Sequence, residues 1–306
     1  NVMWQNQLVE TGLAHFVDVT VAISAGGSNV SEPRYAFASC ADDMDNDGFL
    51  DIVSFHHGGE DCSSLKAYGY TTQEHAVFLN RGGAYFDDVA DAWLLNEHPV
   101  AQNVGVMGSQ IGDVNGDGHL DLFLGNGGPT VGETNQLFIW NEDEGSMMHA
   151  SALIDHPAPS ALGPADPPYP YRTHGSVFYD MDNDGKLELA ISNGGPAYMG
   201  DSVQEPNQLF TFDWGTPVQY LKVRPVGDGV HVSMDGIGTR VAVTVASPSG
   251  QRTIHRHLPG SACFSAFQTF EIYFGLGDAT DIVSLDVTWP DGTSKAVTAG
   301  IAVNSS

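Results

Sequence analysis

Apolar and polar positions alternate along the chain in a pattern that recurs. Three short apolar runs each follow an acidic segment and end near Gly or Asn: FLDIVSF (49–55), HLDLFLG (119–125) and KLELAIS (186–192). A second apolar run follows each of them: AVFLN (76–80), LFIWN (137–141) and LFTFD (209–213). Runs of five to seven residues bounded by turn-forming residues predict β-strands. No amphipathic helix of useful length is predicted in this part.

The acidic segments before these runs are also repeated. DMDNDG begins at Asp43, DVNGDG at Asp113 and DMDNDG again at Asp180, so the copies are 70 and 67 residues apart. HFVDV (15–19) and YFDDV (85–89) are a further matching pair. These correspondences predict three tandem units over residues 15–214, after an N-terminal extension at 1–14. Short strands in units of this length predict an all-β, propeller-like array of blades.

Oxygen-bearing side chains occupy positions 1, 3, 5 and 9 of each acidic segment. Glycine at position 6 permits a sharp turn, and the carbonyl at position 7 can supply one more oxygen. Hard oxygen ligands in a flexible cage suit Ca²⁺ better than Mg²⁺, which demands stricter octahedral geometry. We therefore predict about three calcium sites. Their ligands are Asp43, Asp45, Asp47, Phe49 and Asp51; Asp113, Asn115, Asp117, His119 and Asp121; and Asp180, Asp182, Asp184, Lys186 and Glu188.

The acidic segments have two other interpretations. Asp and Asn can simply form turns by bonding their own backbone, but three copies in register make this interpretation weaker. Paired carboxylates also serve acid–base catalysis, which requires two acids in different environments. Three equivalent copies argue for a structural role. Asp42 falls outside the register and is predicted to be a bystander.

The pattern changes near residue 215. YLKVRPV (220–226) alternates, and the segments around SPSG (247–250) and PDGT (290–293) have the form of strands joined by tight turns. Residues 215–306 therefore predict a small β-sandwich or barrel. The charge changes at the same place: residues 1–214 hold 31 of the 38 acidic residues but only 5 of the 11 basic ones.

The repeats resemble FG-GAP/VCBS repeats of integrin-α-like propellers, which bind calcium in such loops between two strands of a blade. The resemblance implies the same aspartate, asparagine and glutamate ligands. Glu188 departs from the usual closing Asp, and three units are fewer than a closed integrin-type ring contains. DGIGTRVAV (235–243), YFGLGDAT (273–280) and VTWPDGT (287–293) are similar to the ASPIC/UnbV domain, which occurs with such repeats in secreted proteins.

Composition limits the function. A net charge of −27 argues against binding to nucleic acid or to anionic membrane surfaces. The sequence has no run of 18 apolar residues, so no membrane-spanning helix is predicted. Of the three cysteines, Cys40 and Cys62 flank the first acidic segment and are predicted to pair, leaving Cys263 over. Asn29 and Asn304 begin glycosylation sequons. His255 and His257 share a strand face, which predicts a polar surface rather than a metal site.

These features predict a secreted, calcium-binding adhesion or scaffold protein that is not an enzyme. Its partner would be a protein or glycan of the extracellular matrix or cell surface. One alternative is a subunit of an extracellular filament or matrix assembly, because open repeats leave strand edges for self-assembly. Another is a lectin-like propeller that binds glycans. The sequence contains no GxSxG, HExxH, P-loop or dinucleotide-binding fingerprint.

Overall fold

The structure is a computed structural model that describes residues 4–6, 16–20, 36–57, 74–95, 105–127, 133–154, 171–194, 205–261, 263–264 and 266–305. The N-terminal extension contains β1 (Trp4–Asn6). The repeat region contains β2 (Phe16–Asp18), β3 (Ala36–Asp42), β4 (Asp51–His56), β5 (Ala76–Asn80), β6 (Phe86–Asp88), β7 (Gln110–Gly112), β8 (Asp121–Leu124), β9 (Gln136–Asn141), β10 (Ser146–His149), a short 3₁₀ helix (Ser151–Ile154), β11 (Thr173–Tyr179), β12 (Glu188–Asn193) and β13 (Gln208–Phe210). The predicted C-terminal domain contains β14 (Tyr220–Val223), β15 (Arg240–Ser247), β16 (Gly250–His257), β17 (Ile272–Gly275), β18 (Asp281–Thr288) and β19 (Ser294–Val297). The prediction of an all-β fold is confirmed.

Each repeat forms its own antiparallel sheet. The first sheet has the order β3-β4-β5-β6, the second β7-β8-β9-β10 and the third β11-β12-β13, so consecutive strands are neighbours throughout. The second strand of each sheet carries apolar residues that are completely buried, as Val53, Leu122 and Leu189 illustrate. The strands form here because short apolar runs bury their side chains on both faces of a sheet covered by its neighbours.

The sheets stack in a propeller-like array. Successive side chains of β8 point to opposite faces, as the alternation of a strand requires. Leu122 and Leu124 join the hydrophobic core shared with the first sheet, whereas Phe123 joins the core shared with the third. The first strands of the second and third sheets approach closely: Ser176 on β11 donates a hydrogen bond of 2.7 Å to the Gly108 carbonyl. One sheet thus packs on both neighbours, as blades do.

The C-terminal domain is a small sandwich of two sheets. One pairs β14 with β17, and the other has the order β16-β15-β18-β19. Leu221 and Phe274 from the first sheet meet Val243, Ile254 and Leu285 from the second in one buried core. This agrees with the predicted small β-sandwich.

The disulfide prediction was wrong. Cys40 on β3 is bonded to Cys263 in the C-terminal domain, with their Cα atoms 4.8 Å apart. That spacing lies in the range a disulfide allows. Cys62 lies outside the described residues. The bond spans 223 residues of sequence, so it joins the first repeat to the C-terminal domain rather than closing a short loop.

The N-terminal extension contributes a strand to the fold. Residues 4–6 (β1) pair antiparallel with residues 16–18 (β2) of the same chain. Its remaining residues lie outside the described part. The structure contains, among its described residues, no helix long and apolar enough to span a membrane.

Candidate metal centre

The three acidic loops occupy equivalent places in their sheets. The first loop (43–51), the second loop (113–121) and the third loop (180–188) each join the first strand of a sheet to the second. The closing acid at position 9 is the first residue of the second strand in every copy. It pairs with the last residue of the first strand: Asp51 with Asp42, Asp121 with Gly112, and Glu188 with Tyr179. Residues that align between the three sequence copies therefore also occupy equivalent places in the three sheets.

The backbone turns the same way in each loop. Position 4 has a positive φ of 58° at Asn46, 71° at Gly116 and 62° at Asn183. Position 6 has φ values between 88° and 95° and is glycine in all three copies. Asn and Gly tolerate this left-handed region better than other residues, which explains their recurrence at positions 4 and 6.

The carboxylate at position 1 is held by the glycine at position 6. The amide of Gly48 donates to Asp43 Oδ2 at 2.7 Å. Gly118 donates to Asp113 Oδ2 at 2.9 Å, and Gly185 donates to Asp180 Oδ2 at 3.0 Å. All three aspartates are at most 2% exposed. The loop backbone thus fixes a buried carboxylate at the same point in each copy.

The closing acid is bound by the amide at position 2. Met44 donates to Asp51, Val114 to Asp121 and Met181 to Glu188, at 2.8, 2.8 and 2.7 Å. The second oxygens of Asp51 and Asp121 accept amides from the third strand of their sheets, those of Asn80 and Trp140. Because each carboxylate oxygen has two lone pairs, these bonds orient the acids and leave acceptor capacity for a cation.

Two loops bring three acids close enough to share one ion. Single carboxylate oxygens of Asp43, Asp45 and Asp51 lie within 4.8 Å of one another, and so do those of Asp180, Asp182 and Glu188. The second loop has an amide, Asn115, at position 3. The predicted ligands at position 5 lie outside these two acid clusters, and each accepts an amide hydrogen bond from position 7 instead: Asp47, Asp117 and Asp184. Ligation by the carbonyls of Phe49, His119 and Lys186 stays a prediction.

Burial makes the negative charge of several of these acids unfavourable. Desolvation raises the pKa of Asp43 to about 6 and that of Asp51 to about 7, against opposing backbone hydrogen bonds. Burial likewise raises the pKa of Asp113 to about 7 and that of Asp121 well above its usual range. The pKa of Glu188 is also raised by burial. Without a compensating cation, burial therefore disfavours the ionised form of these particular acids.

The residues present fit a calcium ion. Asp113 Oδ1 and Asp180 Oδ1 are buried and have no hydrogen-bond partner among the described residues. A buried carboxylate oxygen without a partner is costly unless a cation or proton compensates it. The predicted donors are hard oxygens, which Ca²⁺ prefers. A bound calcium would be held by the acids at positions 1, 3 and 9, and it would supply the positive charge that these loops lack.

The C-terminal domain covers the first two loops. Asn46 Oδ1 in the first loop accepts hydrogen bonds from the His255 amide at 3.1 Å and from Arg256 Nη1 at 3.0 Å. In the second loop, Arg256 Nη2 donates to the Gly118 carbonyl at 3.0 Å, and Arg252 donates to the Asp117 carbonyl at 2.7 Å. Arg256 also lies 3.9 Å from Asp113 Oδ2.

The third loop receives an ammonium group from the same domain. Lys222 Nζ on β14 donates to Asp180 Oδ2 at 2.9 Å and to Asn183 Oδ1 at 2.8 Å. Burial opposes the charge of Lys222, but the hydrogen bond and attraction from Asp180 prevail and raise its pKa. Tyr273 donates to the Gly185 carbonyl at 2.8 Å. A Cβ on Gly185 would collide with the Tyr220 ring, so glycine is also required here for packing.

Sequence reasoning missed this covering surface. Its basic residues are Arg252, Arg256 and Lys222. The C-terminal domain holds 6 of the 11 basic residues of the chain, and this concentration of positive charge was the sequence feature that could have predicted contacts with the acidic loops. Asp42 is outside the acid clusters as predicted, yet it is not a bystander, because His257 Nδ1 is hydrogen-bonded to Asp42 Oδ1 at 3.1 Å. Of the sequons, Asn29 lies outside the described residues, and Asn304 is exposed.

The two regions match two family models. The model described as "FG-GAP-like repeat" matches residues 43–124 and 113–191, and the model described as "ASPIC and UnbV" matches residues 229–306. The chain is an FG-GAP-like repeat protein with an ASPIC/UnbV domain. Its repeat matches contain all three acidic loops, and its ASPIC/UnbV match contains the strand that carries Arg252 and Arg256.

Curated relatives align along most of the chain. Cartilage acidic protein 1 of Mus musculus is 27% identical over 307 residues, which are 99% of this chain and 39% of that protein. The Homo sapiens protein of the same name is 26% identical, over 93% of this chain and 37% of its own length. That of Xenopus tropicalis is 27% identical, over 95% and 38%. The chain therefore spans about two fifths of the length of these curated relatives.

Proposed function

We propose that the protein binds calcium in its three acidic loops and acts as a calcium-stabilised adhesion or scaffold protein outside the cell. The observation that carries the calcium proposal is the repeated burial of the position-1 carboxylate beside a closing acid. Asp113 and Asp180 each retain a buried oxygen with no hydrogen-bond partner among the described residues. Calcium would compensate these oxygens and would stabilise the folded state, because the unfolded chain has no such cage.

The extracellular setting rests on two further observations. The bond between Cys40 and Cys263 is of a kind that persists mainly in oxidising compartments. The relatives are named for cartilage, which supports a partner that is a protein or glycan of the extracellular matrix or cell surface. We propose binding rather than catalysis, because the clustered acids form three equivalent loops instead of one asymmetric pair of acids. Filament assembly and glycan recognition stay predictions.

Calorimetry on metal-free protein tests the calcium proposal. Titration with CaCl₂ is expected to give binding in all three loops, and Asp113→Asn is expected to remove the contribution of the second. Asp143→Asn is the matched control, because Asp143 is exposed in the turn between β9 and β10. The absence of any binding at millimolar calcium would overturn the proposal. For the partner, matrix proteins and glycans are screened for binding to the protein with calcium and with EGTA.

A further inference from the structure

The first and third loops begin with the same six residues, DMDNDG. Their glycines at position 6 have φ values of 92° and 88°, and both bind the position-1 carboxylate in the same way. The local chain gives these two loops nearly the same cage. Besides the closing acid, which is Asp51 in the first loop and Glu188 in the third, the two loops differ in the group that the C-terminal domain places against each of them.

In the third loop, that group is Lys222. Its side chain is 7% exposed and its partner Asp180 is 1% exposed, so the ion pair is shielded from solvent. Asp180 Oδ2 accepts both the Gly185 amide and the Lys222 ammonium. Asp180 Oδ1 has no hydrogen-bond partner among the described residues and is available to a metal ion. One carboxylate thus carries a protein cation on one oxygen and has the other available for calcium.

In the first loop, the position-1 carboxylate has amide partners instead. Asp43 Oδ1 accepts the Asp47 amide, and Asp43 Oδ2 accepts the Gly48 amide. The nearest ion pair in this loop joins Arg81 to Asp45 at 3.2 Å, with side chains 35% and 24% exposed. Solvent screens an exposed pair of this kind far more than a buried one. The C-terminal domain contacts this loop at Asn46, where the cationic Arg256 donates to a neutral amide oxygen rather than to a carboxylate.

We propose that Lys222 of the C-terminal domain is a built-in counter-cation of the third loop, which lowers the calcium affinity of that loop below that of the first. This inference rests on the proposed calcium binding. The ammonium and the calcium ion share one carboxylate and repel each other, so each weakens the hold of the other. Calcium therefore fills the first loop before the third. Calcium in the third loop also loosens one contact between the repeats and the C-terminal domain.

The amides of the position-6 glycines report each loop separately, because each donates to the position-1 carboxylate of its own loop. Protein labelled with ¹⁵N-glycine is titrated with CaCl₂ and followed by NMR at Gly48, Gly118 and Gly185. In the unmodified protein, the Gly48 resonance is expected to reach half-saturation at about tenfold lower free calcium than Gly185. Lys222→Met keeps the aliphatic stem, and it is expected to move the Gly185 midpoint to about tenfold lower calcium while Gly48 stays in place.

Two further variants control for loss of charge and loss of packing. Lys295→Met removes a lysine from an exposed position on β19 and is expected to change neither midpoint. Lys222→Arg keeps the charge and is expected to keep the order of filling. If Gly48 and Gly185 saturate together in the unmodified protein, or if Lys222→Met leaves the Gly185 midpoint unchanged or weakens binding, the inference is wrong and the proposed calcium binding stands. If none of the three amides responds, both fail.

Discussion

The first and third loops have the same motif but different surroundings in the fold. Both begin with DMDNDG and turn the chain between two strands of a repeat. The first loop closes with Asp51, whose two oxygens both accept backbone amides. The third loop closes with Glu188 and receives Lys222 from the C-terminal domain. Ligand sequence alone therefore does not determine the electrostatics of such a loop, because a buried charge from a distant strand changes it.

The comparison also shows two ways of joining the repeats to the C-terminal domain. On the side of the first loop, Cys40 and Cys263 form a covalent bond, and Asn46 accepts neutral and charged donors. On the side of the third loop, the contact depends on a buried ion pair. A covalent bond does not respond to cations, whereas an ion pair shared with a metal-binding carboxylate does.

Removal of calcium from all three loops is expected to have the largest effect. Each site that binds only the folded state contributes about 2.7 kcal/mol at a hundredfold excess of free calcium over its Kd. With all three loops filled, Tm by calorimetry in excess EGTA is expected to fall by roughly 10 °C or more. Addition of magnesium in place of calcium serves as the control. An unchanged Tm would contradict the role of the loops in stability.

Loss of the Cys40–Cys263 bond is expected to rank next. Cross-linking residues 223 apart in sequence removes chain entropy worth about 5 kcal/mol from the unfolded state. Cys40→Ser with Cys263→Ser is therefore expected to lower the free energy of unfolding by up to about that amount in urea melts. Peptide mapping of the unreduced protein provides the check on pairing: a fragment joining Cys40 to Cys62 would be incompatible with the structure.

The same substitution at position 1 is expected to have unequal effects on the stability of metal-free protein in the two loops. Asp180→Asn leaves the Lys222 ammonium buried and unpaired, so it should cost about 3–5 kcal/mol of stability. Asp43→Asn removes a carboxylate whose pKa burial raises to about 6, so at neutral pH it should cost little or be stabilising. Urea melts in EGTA measure both. Equal destabilisation by the two variants would remove the distinction between the loops.

The stabilisation by calcium is expected to increase with pH. In metal-free protein, Asp43, Asp51 and Asp113 keep their protons up to pH about 6 to 7, whereas the unfolded chain loses them at lower pH. The folded state then binds more protons, so metal-free stability falls as pH rises through this window. Calcium replaces those protons. The calcium-induced rise in Tm should be several degrees larger at pH 7.5 than at pH 5. A smaller rise at pH 7.5 than at pH 5 would contradict this prediction.

The smallest effect is expected at the Asn46 contact of the first loop. Asn46→Gly retains a residue that tolerates positive φ but removes the acceptor for His255 and Arg256. The loss should be about 1–3 kcal/mol, because the two donors lose a buried partner. Asn183→Gly in the third loop removes one acceptor from Lys222 and is the matched comparison. Urea melts with calcium present measure the loss of unfolding free energy in each of the two variants.

Local spacing was enough to predict where the loops lie, because the acids at positions 1 and 9 and the glycine at position 6 fall within nine residues of chain. The strands were equally readable, since Val53, Leu122 and Leu189 lie in short apolar runs. The predicted partner of Cys40 was wrong because proximity in sequence favoured Cys62, whereas the fold brings Cys263 beside β3. Lys222 and Arg256 were not predicted at the loops, because their contacts cross from one domain to another and leave no local pattern.

Diffraction from crystals grown with CaCl₂ is the most direct test of the central claim, that the acidic loops are calcium sites. An anomalous difference map is expected to show calcium in the first and third loops, with carboxylate oxygens of Asp43, Asp51, Asp180 and Glu188 at roughly 2.3–2.6 Å from the ions. The second loop is expected to hold an ion against Asp113 and Asp121. A map with no peak in any of the three loops, from crystals in millimolar calcium near neutral pH, would contradict the claim.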